Sequence, residues 1–194
     1  MKYFIISAFV FLLASSCSQP VKDVIIDNPT EEEIKIQLDG SDEITIPAGE
    51  KVIVPVKFGK QNLVINGSEA VEINLDKKLD YVMNPTQSQY YIENMVYTTS
   101  NRGRKQYFED YGRMTSKVGA WEIEGDYEKI KPDYLIQKSW VFGLDEGATN
   151  QVQISINPTK GYKTVRRLVR EKDILAQVRT QLLDEFTKAI ETEE

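Results

Sequence analysis

The sequence predicts a mainly β chain of the α+β class: an N-terminal antiparallel β-sandwich, a β-rich aromatic segment and one long C-terminal α-helix. Three observations predict it. Apolar residues recur at period two between residues 24 and 75, broken by turn residues every six to ten positions. Tyrosine and tryptophan concentrate between residues 80 and 142. An apolar stripe of helical period runs from residue 165 to residue 190.

The first residues read as an export signal. Met1-Lys2 gives a short positive start, and 3–13 is an apolar run interrupted only by Ser7. That length suits a signal-peptide core, whereas a membrane-spanning helix needs about 20 apolar residues. The stretch Leu13-Ala14-Ser15-Ser16-Cys17 resembles the lipobox of bacterial lipoproteins, with Ala14 in its customary place and the leucine four residues before the cysteine. The resemblance implies removal of 1–16 as a signal peptide and acylation of Cys17, the only cysteine. Residues 17–23 would then be the lipidated end and a short tether. Two or three acyl chains hold a protein stably at a bilayer where one does so only marginally. Because Ser18 follows the cysteine, the resemblance implies an outer membrane destination. An ordinary signal-peptide cut after Ala14-Ser15-Ser16 is the alternative reading, and it leaves Cys17 as a free thiol.

Strands follow in order at 24–27, 34–38, 44–46, 52–56, 63–65 and 71–75. Asn28-Pro29-Thr30 is a turn, since proline keeps the residue before it out of the helical region. Asp39-Gly40 and Asn66-Gly67 are hairpin turns of the kind that need two residues tolerant of positive φ. Pro55 cannot donate to a ladder, which puts its strand at an edge or a bulge. The rhythm, with the Pro47-Ala48-Gly49-Glu50 turn, resembles the immunoglobulin-like and related β-sandwich modules of exported lipoproteins. That likeness implies a scaffold over 24–80 and no particular chemistry.

In the aromatic segment, 90–97, 121–124, 134–142 and 151–157 read as strands, 98–105 as a polar loop and 107–117 as a loop or one short helix. Tyr90 and Tyr91 must point to opposite faces of their strand. A helix over 164–190, capped by Thr164, projects Val165, Leu168, Leu175, Leu182, Phe186 and Ile190 into about a 140° sector. Its charges oppose the helix dipole, with Arg166, Arg167 and Arg170 at the start and Glu191, Glu193 and Glu194 at the end. The β-rich extension 81–194, with this helix packed on its sheet, is either a region of its own or one continuous domain with 24–80.

Composition narrows the function. With no histidine, Ser-His-Asp and Cys-His mechanisms are excluded, as are the usual histidine-bearing metal sites. A single cysteine allows no internal disulfide. A net charge of −6 disfavours nucleic acid. No cofactor motif is present: neither a phosphate-binding loop, nor a dinucleotide glycine pattern, nor a calcium loop is found.

The expected function is therefore that of a non-enzymatic lipoprotein, anchored to the membrane through Cys17 and acting in binding or assembly at the cell envelope with a protein partner. The alternative is a glycan-binding surface lipoprotein whose exposed rings stack on sugars, with Tyr90, Tyr97, Trp121 and Trp140 as the candidate residues. A third reading is a carboxylate-dependent hydrolase built on Glu122, Glu124, Asp126 and Glu128, which requires two acids facing across a cleft. Arg102, Arg104 and Lys105, with Arg113 nearby, form a basic patch read as a solvated loop.

Overall fold

The computed structural model describes residues 20–98, 100–147 and 161–191. The strand expected at 151–157 and the whole of 1–19 lie outside them. The described residues form a β-rich α+β structure. Its first strands are β1 (Val21–Asp27), β2 (Ile34–Leu38), β3 (Ile44–Ile46), β4 (Lys51–Lys57), β5 (Gly59–Ile65) and β6 (Val71–Leu75). They are followed by β7 (Tyr81–Met83), β8 (Tyr90–Thr98), α1 (Asn101–Tyr111), β9 (Thr115–Val118) and β10 (Trp121–Glu124). The last elements are β11 (Tyr127–Lys129), β12 (Leu135–Gln137), β13 (Tyr162–Arg170) and α2 (Glu171–Glu191).

Layers stack because successive strands carry apolar residues on one face, then on both. An outer sheet of order β3-β2-β5-β6 faces an inner sheet of order β12-β7-β1-β4. Ile34, Ile36 and Leu38 of β2, Leu63 of β5 and Ile73 and Leu75 of β6 meet Val24 and Ile26 of β1 in this first core. The alternate residue Ile25 points the other way, into a second core with Val82, Tyr90, Ile92, Ile136, Trp140, Leu144 and Leu168. Thus the inner sheet is covered on its second face by a third sheet, β11-β8-β13. Tyr91, opposite in direction to Tyr90 as alternation requires, enters a third core with Val118, Ile123 and Ile174 beneath the β9–β10 hairpin and α2.

Local chemistry sets the turns. Asp39 and Gly40 have φ of 47° and 69°, and Asn66 and Gly67 have 49° and 71°, the left-handed pair that each hairpin needs. Pro55 sits on β4, at an edge of the inner sheet, where its missing N–H breaks no ladder. The inner sheet is not wholly antiparallel, because β7 runs parallel to β1 with Ile25 opposite Val82 and Ile26 opposite Met83. Two of its four strands, β7 and β12, come from beyond residue 80.

An Asn-Pro-Thr triplet follows each member of that parallel pair, at 28–30 and 84–86, and both asparagines are fully buried. Asn28 Oδ1 accepts from Thr30 N and Oγ1, while Asn84 Oδ1 accepts from Ser88 N and Thr86 Oγ1. Each Nδ2 donates to backbone carbonyls across the turn: those of Glu32, Ile46 and Pro47 for Asn28, and those of Ser88 and Asp133 for Asn84. A side-chain amide thereby satisfies loop groups that no ladder reaches. A third such triplet, at 157–159, lies outside the described residues.

Three expectations need correction. The helix read over 164–190 is strand β13 up to Arg170, and only then α2. β13 buries residues on both faces, Val165 on one and Leu168 on the other, so its apolar residues at 165, 168 and 169 mimic a helical period. Nine consecutive pairings with β8, from Tyr162 opposite Thr98 to Arg170 opposite Tyr90, decide the matter for a strand. Thr164 therefore caps nothing. Arg166 and Arg167 lie on β13, away from the helix; Arg170 directly precedes α2 but is bonded to Asp173, and Glu171 and Asp173 in the first turn favour the dipole, while Glu191 at the last position still opposes it.

The second correction is α1. Ser100 caps it by accepting from Gly103 N, so Arg102, Arg104 and Lys105 lie on a helix and not in a loop. In the third, the strand read over 134–142 reduces to β12, with Trp140 buried and Phe142 bridging to Arg167.

Candidate functional site

Two features stand out among the described residues, a buried charge cluster and an uncovered apolar ledge. The cluster lies where the inner sheet, β8, β13 and α2 meet. Asp27 ends β1, Tyr90 begins β8 and Arg170 ends β13; register sets Arg170 opposite Tyr90, and the stacking of their sheet on the inner one brings both to Asp27. Arg170 Nε donates to Asp27 Oδ2 at 2.8 Å and Nη2 donates to Asp27 Oδ1 at 2.6 Å, a two-pronged pair. Nη1 donates to Asp145 Oδ1 at 2.6 Å and to Asp173 Oδ2 at 3.1 Å, and Nη2 also reaches Asp145 Oδ2 at 3.1 Å. The Tyr90 hydroxyl donates to Asp27 Oδ2 at 2.5 Å. Lys51 closes the outer side by bonding the Leu144 carbonyl and pairing with Asp145 at 3.2 Å.

The electrostatics follow from this geometry. Burial disfavours charge on Arg170, but bonds from Asp27 and Asp145 outweigh it and hold the guanidinium firmly protonated. The Arg170 bonds pull the Asp145 carboxyl down to about 2, against some desolvation. Burial and the Asp27 carboxylate both push the Tyr90 hydroxyl far above its ordinary range. Chemically the cluster is closed. Arginine offers five N–H groups, and these five bonds occupy all of them, so no donor is left for a substrate. It joins β1, β13, α2 and the segment that carries Asp145.

The ledge continues from the edge of the third core, since Leu175 and Val178 border both. A groove of about 560 Å³ runs between Trp121 on β10 and Leu175, Val178, Arg179, Leu182 and Phe186 on α2. Ile174 anchors the first turns of the helix in the third core, yet every residue from 179 to 190 is exposed. Leu182, Leu183, Phe186 and Ile190 are each more than half uncovered, as is Trp121. Arg179 is the one charged residue lining the groove, and no ion pair is formed by it among the described residues.

The ring platform expected from Tyr90, Tyr97, Trp121 and Trp140 is not assembled. Tyr90 and Trp140 lie together in the second core and Tyr97 is half-buried on β8, which leaves Trp121 alone at the surface. The expectation failed because rings of this size fill the spaces between stacked layers. Glu122 and Glu124 do share a strand face, but Glu122 stands opposite Lys117 and Glu124 opposite Thr115, both in solvent. Glu128 pairs with Arg166 at 2.9 Å. No facing pair of acids is formed by them. Among the described residues no cluster of three or more metal-binding side chains occurs.

No protein-family model matches the chain, and comparison with curated proteins and with solved structures finds no match. The residues that sequence reasoning missed are Asp27, Asp145 and Arg170. One signal was present in the sequence: Asp27 directly follows the apolar run Val24-Ile25-Ile26, and a charge there is either exposed or paired.

Proposed function

We propose that this chain is a non-enzymatic lipoprotein, held at a bacterial outer membrane by acyl chains on Cys17 and acting as a binding or assembly component of the cell envelope. The anchor is proposed on the lipobox-like segment that ends at Cys17. The observation that carries the assembly role is the ledge, where the last three turns of α2 and Trp121 keep large apolar side chains in solvent while polar groups in the interior are paired. Exposed apolar surface of this extent marks contact with other macromolecules. The saturated arginine cluster supports the same reading, since its donors are all taken up in joining the layers. No helix among the described residues is long and apolar enough to cross a membrane.

The test is membrane fractionation of cells expressing the native chain or Cys17→Ala. The native chain is expected in the outer membrane fraction and Cys17→Ala outside it. Equal distribution of the two would refute the anchor.

A further inference from the structure

We propose that the ledge is a self-association surface on which α2 of a second copy lies antiparallel. This rests on the assembly role above and names its partner. With Phe186 as the centre, at 100° per residue, Leu175, Arg179, Leu182, Leu183 and Ile190 all fall within about 60° of it. Asp184, Glu185 and Lys188 lie about 100° or more away. From Leu175 to Ile190 the face is thus apolar apart from Arg179, while Lys172, about 40° from the centre, interrupts it at the start of the helix beside Gly49.

The stripe is complementary to its own reverse. A two-fold axis between Leu182 and Leu183 sets Leu182 opposite Leu183 of the partner copy, Arg179 opposite Phe186 and Leu175 opposite Ile190. Each arginine then lies over a phenylalanine ring, a favourable cation–π contact, instead of facing an unpaired charge. The two arginines sit seven residue levels apart, which at 1.5 Å per residue is about 10 Å, far enough for salt to screen them. A parallel pair would instead bring arginine beside arginine. It would also crowd the two bodies at one end, whereas the antiparallel sense places them at opposite ends of the free helices.

The area is sufficient. Trp121, Leu182, Leu183, Phe186 and Ile190 are 57%, 51%, 58%, 67% and 52% exposed. Together they offer on the order of 600 Å² per copy, and two copies reach the roughly 1,200 Å² at which specific interfaces begin. A single small ligand in the groove would leave Ile190 bare.

The test is thiol crosslinking of the full chain in its native membranes, with the unsubstituted chain as the blank for Cys17. Arg179→Cys and Phe186→Cys, both at exposed positions, leave the fold intact. Neither alone is expected to form a covalent dimer, and the two together are expected to do so. Crosslinking by Arg179→Cys alone would mean a parallel pair and overturn the proposal, as would no dimer from the double variant, or adducts only to another protein. In each of these outcomes the chain remains in the membrane fraction, so failure of the pairing is distinguishable from failure of the anchor.

Discussion

Asp27 and Arg170 stand 143 positions apart in the chain and face each other in the interior, joined by hydrogen bonds of 2.8 and 2.6 Å. The pair ties the first strand of the sandwich to the last strand of the molecule. Both side chains are almost wholly removed from solvent, so neither tolerates loss of the other.

Arg170→Met should therefore destabilise the fold by about 3–5 kcal/mol, because it leaves the buried Asp27 carboxyl without its cation, with only the Tyr90 hydroxyl still donating to it. Arg170→Lys should recover only part of this, since an ammonium cannot make the two-pronged contact. Urea unfolding followed by tryptophan fluorescence measures both. The double variant Asp27→Asn with Arg170→Met should be more stable than Arg170→Met alone.

Acid should loosen the same joint from its outer side. The Asp145 carboxyl is held at about 2, below its value in an unfolded chain. Its contribution is thus present above the unfolded pKa and lost as pH falls through the folded one. Stability measured between pH 5 and pH 2 should fall, and Asp145→Asn should flatten that part of the profile. Half-exposure of Asp145 keeps the effect small, and added salt should reduce it further.

Gly103→Ala should destabilise the protein although alanine favours helices. A Cβ at Gly103 would stand 2.0 Å from the Gly161 carbonyl oxygen, so α1 can approach the start of β13 only through glycine. Overpacking of this kind costs about 1–3 kcal/mol, more than the roughly 1 kcal/mol of helix propensity gained. Thermal unfolding of this variant beside Gly147→Ala, where no atom lies within 4 Å, isolates the contact.

Asn28→Ala and Asn84→Ala should each cost on the order of 2 kcal/mol by stranding backbone groups that the amide now satisfies. Denaturant unfolding should rank Asn28→Ala as the more severe, because its Nδ2 serves three carbonyls against two for Asn84.

The strands up to Leu75 were legible in the sequence because one face of each is apolar and Asp39-Gly40 and Asn66-Gly67 fix the hairpins. β13 was not, since a strand covered on both sides loses its alternation, and Val165, Leu168 and Val169 then fit a helix equally well. The charge cluster was hidden for a different reason. Asp27, Tyr90, Asp145 and Arg170 come from four distant segments, and only the parallel pairing of β1 with β7 and the stacking of β8 and β13 on that sheet bring them together. The ledge was half visible: the apolar stripe of α2 could be read, but that its second half leaves the body could not.

The proposed lipid anchor is tested most directly by intact-mass analysis of the chain recovered from cell membranes. The account predicts a polypeptide beginning at Cys17 whose mass exceeds the residue sum by a diacylglyceryl group, with or without an N-acyl chain. A mass showing Cys17 unmodified, or residues 1–16 still attached, would contradict it.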